Sequence, residues 1–229
     1  MHTDKIRSVF NKITNYYDVM NDAMSLGLHR IWKKTLIEQV KIINNGDYLD
    51  LSTGSGDIAV LLLQKTKFYN INLTCADPDS DMLIKAEQKL LNSDIKFIKT
   101  AAEKMPFDDN SFDAVTLSFG LRNFTSIEDG LSEIYRVLKP NGFLYCMEFS
   151  PQTKSAFLQP FYDKYLKILP TIGNMVVKDY NSYQYLAQSI IDFPTTQKIS
   201  EIMQSTGFKK QEIISLCAGA CNIYIFKKC

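Results

Sequence analysis

Two glycines and three carboxylates stand at the spacing of a nucleotide site. In LDLSTGSGDIAV (49–60) an apolar run carries Asp50 near its end, a turn with Gly54 and Gly56 follows, and a helical segment opens at Asp57. Glycine lets the backbone adopt positive φ and pass close to a ligand, and a helix start presents free N–H groups. Gly54-x-Gly56-x-x-Ala59, with Asp77 about 20 residues further on, satisfies the loose dinucleotide fingerprint. Charge argues against a dinucleotide. Asp57 would face the diphosphate and Asp50 lies beneath it, and two carboxylates repel phosphate. S-adenosylmethionine carries no phosphate but an ammonium, a carboxylate and a sulfonium. It is therefore the expected cofactor, with Asp50, Gly54 and Gly56 around it. Asp77 is placed to accept both ribose hydroxyls, against the plainer reading of a helix cap. The loop TAAEKMPFDDNSFDAV (100–115) should bring the backbone of Ala101 and Ala102 to the adenine edge, while Met105 and Phe107 read equally well as core.

Such a loop needs strand, turn and helix in succession, and the chain repeats that order. Strands are expected at 47–51, 71–77, 95–99, 112–118 and 142–150. SDMLIKAEQKLL (80–91) and SIEDGLSEIYRVL (126–138) have helical apolar spacing, each opening on a serine cap, and Pro140 with Gly142 stops the second. Residues 151–206 read as mostly helical, and strands near 209–216 and 222–227 close the chain as an antiparallel edge. This is an α/β, Rossmann-like pattern with a mostly parallel sheet and helices on both faces. One domain is expected over 1–229: a helical cap (1–45), a cofactor core (46–150), a helical substrate-side insertion (151–206) and closing strands (207–229).

Net charge is +1 and no basic run appears, so nucleic acid is not an expected partner. Five cysteines without a CxxC pair disfavour a disulfide framework or zinc site and point to the cytoplasm; no metal is expected. No apolar run approaches the ~20 residues that span a bilayer, and MHTDKIRSVF reads as neither signal nor transit peptide.

YYDVMNDAMSLGLHRIWK (16–33), AAEKMPFDDNSFDAVTLSFGLRNF (101–124), YRVLKPNGFLYCMEFS (135–150) and SYQYLAQSI (182–190) together resemble the menaquinone/ubiquinone biosynthesis C-methyltransferases of the UbiE/MenG type. The similarity covers nearly the whole chain. It implies a seven-stranded sheet with an antiparallel last strand, and methylation of a ring carbon on a polyprenylated quinol. Carried over by position, the cofactor contacts would be Ser55, Asp77, Ala101, Ala102 and Ser118. The chain departs from the family at Thr53, which stands where glycine is usual, and at Ser55, which replaces threonine but keeps a hydroxyl. At Ala101 a polar side chain that could address adenine is missing, and Tyr224 stands near the family's C-terminal histidine.

Carbon methylation of a quinol needs an electron-rich ring, hence a group that stabilises a developing phenolate. Arg122, after the fourth strand, is the leading candidate; a surface ion pair is the alternative. Asn123 would orient the second ring oxygen. His29, the only histidine besides His2, has the ordinary pKa of a base, though a lone histidine beside Arg30 and Trp32 is more often structural. Tyr17 is a further hydrogen-bonding candidate or a packing residue. The region 157–180 mixes aromatic, aliphatic and lysine residues, compatible with a lid on the inner membrane face, a helical cap or a homodimer interface. A methyltransferase acting on another small molecule, and a catalytically idle cofactor-binding module, are the competing readings.

Overall fold

The computed structural model describes residues 22, 25, 27–91, 94–177 and 180–229. Within them the chain runs α1 (His29–Gln39), β1 (Gly46–Leu51), α2 (Asp57–Lys65), β2 (Ile71–Asp77), α3 (Ser80–Lys89), β3 (Ile95–Lys99) and β4 (Phe112–Ser118). A 3₁₀ turn (Leu121–Asn123) leads to α4 (Ile127–Val137), β5 (Leu138–Phe149), α5 (Gln159–Val177), α6 (Tyr180–Ile191), α7 (Thr196–Ser205), β6 (Phe208–Leu216) and β7 (Cys221–Lys228).

The seven strands form one sheet in the order β3-β2-β1-β4-β5-β7-β6. β1 to β5 pair in parallel, and β7 pairs antiparallel with both β5 and β6. The closing pair is thus not a simple antiparallel edge. β7 is inserted between β5 and β6, and the edge strand β6 runs in the direction of the parallel strands. The strand order reverses between β1 and β4, so a crevice opens beyond their carboxyl ends, where such sheets bind ligands.

Strand alternation sorts the core. Tyr48 faces one apolar layer, with Trp32 and Leu36 of α1, Leu62 of α2 and Leu166 of α5; Leu49 and Leu51 face the other, with Leu131 and Ile134 of α4 and Ile199 of α7. α4 is specified by local chemistry at its start. The Ser126 hydroxyl accepts the Asp129 N–H, and Glu128 and Asp129 favour the positive helix end. In α3 the cap is Asp79 rather than Ser80: Asp79 Oδ1 accepts the N–H groups of Asp81 (2.8 Å) and Met82 (3.3 Å). β5 begins earlier than expected. Phe112 pairs with Leu138, the register then slips, and Ala114 pairs with Phe143, so Pro140 sits in the irregularity where no ladder N–H is needed.

Candidate functional site

Loops beyond β1, β2, β3 and β4 enclose a cavity of about 490 Å³. Ser52 and Gly54 come from the first loop, Asp77, Pro78, Asp79 and Met82 from the second, and Lys99 to Glu103 from the third. Ser118, Phe119, Gly120, Asn123, Phe124 and Thr125 close the fourth side. The walls are tied together: Glu103 Oε1 accepts the Thr125 N–H at 2.6 Å. Gly120 is where two loops touch, since a Cβ there would lie 2.6 Å from Ser52 Cβ.

Asp77 ends β2 at the cavity, but its carboxylate is not free in the way a simple bidentate ribose contact implies. Oδ2 accepts the Gly54 N–H and Oδ1 the Asp79 N–H, each at 2.9 Å. Each oxygen keeps a second lone pair. Burial raises the acid to about 6 against the two backbone bonds, which favour the ionised form. Asp79 Oδ2 and Ser118 Oγ are buried without a partner among the described residues, and both residues line the cavity. Such atoms cost stability until a ligand satisfies them. Acidic and hydroxyl acceptors on one side, with Met82, Phe124, Ala101 and Ala102 beside them, fit an adenosine: hydroxyls to the acids, a flat ring to the apolar wall.

The glycine loop resolves the question raised by Thr53. The left-handed residues are Ser52 (φ 53°), Gly54 (φ 55°) and Gly56 (φ 83°), and Thr53 is not one of them. Its hydroxyl instead donates to Asp50 Oδ2 at 2.5 Å while Thr116 donates to Oδ1 at 2.9 Å. Asp50 is fully buried, and burial raises it to about 7. It supports the loop from beneath and does not line the cavity; neither do Ser55 and Gly56. Asp57 does not present the uncompensated charge expected at the start of this helix. Asp57 is ion-paired with the buried Lys33 at 2.7 Å and with Lys89, which hold it well below the usual carboxylate range. It is compensated, so the acidity that suits a phosphate-free cofactor comes from Asp77, Asp79 and Glu103, with Lys99 opposing.

Arg122 does not line the cavity. Its Nη1 donates to Glu148 Oε1 at 2.5 Å and to the Phe119 carbonyl at 2.8 Å, and the guanidinium carbon lies 5.5 Å from the Phe149 ring centroid. Phe119 and Phe149 stack at 4.7 Å. Phe119 has φ 59°, a strained conformation for a bulky residue of the kind that clusters at functional sites. Asn123 bridges two regions: it lines the cavity, and its Oδ1 accepts the Tyr185 hydroxyl of α6 at 3.2 Å.

Residues 1–228 of the chain match the model of the ubiE/COQ5 methyltransferase family. The chain belongs to this family. It is 40% identical over 226 residues to the ubiquinone/menaquinone biosynthesis C-methyltransferase UbiE of Rickettsia prowazekii, covering 96% of this chain and 90% of that protein. The Rickettsia bellii UbiE is 39% identical over the same shares. Among solved structures, a possible histamine N-methyltransferase from Thermotoga maritima has a TM-score of 0.70 at 19% identity, over 97% of this chain and 99% of that one. A putative S-adenosylmethionine-dependent methyltransferase from Methanococcus maripaludis has a TM-score of 0.66 at 18% identity, over 95% and 92%. These likenesses show the class I methyltransferase fold. As a ubiE/COQ5 family methyltransferase, the protein uses S-adenosylmethionine as its methyl donor.

Six of the residues expected at the site line the cavity of this methyltransferase: Gly54, Asp77, Ala101, Ala102, Ser118 and Asn123. His29 is buried apart from it. Its Nε2 lies 2.9 Å from Asp22 Oδ1, and burial lowers its pKa. Tyr17 lies outside the described residues. Asp79, Phe119 and Glu148 are among the residues here that are not expected from the sequence. Asp79 carries a legible signal, an Asx residue before a helix. Phe119 beside Gly120 and the buried Glu148 carry none, because nothing local marks a strained φ or an ion-pair partner 26 residues away.

Proposed function

We propose that this methyltransferase transfers a methyl group to a ring carbon of a polyprenylated quinol, of the benzoquinol or naphthoquinol type. The observation that carries this is the match, over 96% of the chain, to relatives that are C-methyltransferases of ubiquinone and menaquinone biosynthesis. When bound, S-adenosylmethionine would supply the methyl as an electrophile: the ring carbon's electron pair would form the new C–C bond, the C–S pair would stay with sulfur, and the ring hydrogen would leave as a proton to water. The chain's own residues do the rest. Asp77 and Asp79 would accept hydroxyls of the donor's ribose, and Ala101 and Ala102 would border its adenine. Ser55 Oγ, buried and without a partner among the described residues, is the family's loop hydroxyl. Arg122 stabilises the phenolate that develops as the ring is activated, and Asn123, held by Tyr185, orients the second ring oxygen. His29 organises the start of α1 through Asp22.

α5 supports a lipid-facing entrance on a membrane surface. Phe161, Ile168 and Met175 recur every seven residues and are exposed, Phe157 precedes them at 76% exposure, and the exposed Lys164 and Lys167 accompany them. Among the described residues no helix is long and apolar enough to cross a membrane. The test of the reaction is an acceptor panel: demethylmenaquinol, a polyprenyl methoxybenzoquinol, the corresponding oxidised quinones and an amine. Ring-methylated product from a quinol alone is expected. Methylation of the amine, or of no quinol, would refute the reading.

A further inference from the structure

We infer that Glu148 is a positioning residue that clamps the Nη1 edge of Arg122, so that the Nε–H edge is the one offered to an acceptor oxygen. The inference deepens the quinol reading and rests on it for the identity of that oxygen.

Glu148 is fully buried on β5, a place where a carboxylate persists only when paired and hydrogen-bonded. Its Oε1 takes Arg122 Nη1 (2.5 Å) and the Phe149 N–H (2.9 Å), and its Oε2 takes the Arg122 backbone N–H (3.2 Å). One carboxylate therefore fixes both the backbone and the side chain of the same arginine. The Phe119 carbonyl holds Nη1 from a second direction, and that carbonyl is presented by the strained backbone at φ 59°. The stacked rings of Phe119 and Phe149 lie against the guanidinium, with centroids 6.0 and 5.5 Å from its central carbon. Rotation of the planar group is blocked on every side that these contacts cover. Arg122 Nε is then left buried with no acceptor among the described residues. A surface ion pair would leave its donors to water; here one donor is withheld from water and given no protein partner. A ligand oxygen that carries growing negative charge, a phenolic hydroxyl on its way to phenolate, is the chemistry that such a donor satisfies.

The test is nuclear magnetic resonance of the arginine Nε–H groups together with kinetics on Glu148→Gln. That substitution keeps the shape of the side chain but sets an amide donor against at least one of the three N–H groups. In the native protein the Arg122 Nε–H, assigned by its loss in Arg122→Lys, should give a separate signal protected from exchange. In Glu148→Gln that protection should vanish, turnover should fall about tenfold or more, and S-adenosylhomocysteine affinity should stay within about twofold, since misplacing a catalytic group costs rate rather than cofactor binding. If Glu148→Gln fails to fold, Glu148→Asp carries the test: it keeps the charge, retracts it by one methylene, and should also lose the protection. A native Nε–H that exchanges as freely as exposed arginines, or a variant with unchanged signal and turnover, overturns the clamp. A protected signal lost in the variant, with no response to quinol and no quinol methylated, leaves the clamp standing and overturns the quinol reading.

Discussion

The proposed contact of Asp77 with the donor's ribose would couple cofactor binding to pH. Burial raises its folded pKa from 3.8 to about 6, so the folded state holds the proton more tightly and this carboxyl erodes stability as pH rises from about 4 to 6. Ribose hydroxyls that donate to it favour the ionised form. Binding must therefore release a proton at low pH, and S-adenosylhomocysteine affinity should fall as pH drops below about 6, by up to about tenfold per unit. Asp77→Asn should remove that dependence and weaken binding at pH 7.5 by roughly ten- to hundredfold; calorimetry across pH 5 to 8 decides it. Arg122→Lys separates the second subsite. Because Arg122 lies off the cavity lining, cofactor affinity should hold within about twofold while turnover falls about a hundredfold, the usual cost of losing an oxyanion donor. Collapse of cofactor binding with normal residual turnover would assign Arg122 to the donor side. Asp77, Ala101 and Ala102 were legible because strand ends fix what borders the crevice. The roles of Asp50 and Asp57 were not, because a carboxylate's effect depends on partners, Thr53 and Thr116 for one and Lys33 and Lys89 for the other, that the fold brings from elsewhere.

The loops that carry these groups are set by contact between the first and fourth. Gly120→Ala would put a Cβ 2.6 Å from Ser52 Cβ and 2.8 Å from Leu117 Cδ1. The loops must part, at a cost of about 1–3 kcal/mol of stability. A lower melting temperature with weakened S-adenosylhomocysteine binding is expected, and an unchanged pair of values would remove Gly120 from the site's architecture. The parallel strands and α4 were legible from apolar period and capping chemistry. The early start of β5 was not, because KPNG reads locally as a break while its flanks pair with β4 across a register slip. Nor was the insertion of β7 beside β5: strand order is decided by which faces pack, and the CAGA turn shows only that two strands follow one another.

The cavity opens at the switch point of the sheet, and in the proposed reading the exposed apolar stripe of α5 is the surface from which a lipid acceptor approaches. Apolar burial contributes about 25 cal/mol per Å², so a phenylalanine that enters a bilayer supplies roughly 1.5–3 kcal/mol. Phe157→Ser with Phe161→Ser should cut binding to anionic liposomes at least about tenfold, with turnover of a short-tailed quinol unchanged; equal liposome binding by the variant would take the membrane off this face. The reaction itself is tested most directly with a donor labelled with ¹³C in its methyl group and a long-tailed quinol in liposomes. A ¹³C resonance of a methyl on a ring carbon, absent without protein and absent with the oxidised quinone, is the expected result. A label on oxygen, or none on either ring type, would contradict carbon methylation of a quinol by this protein.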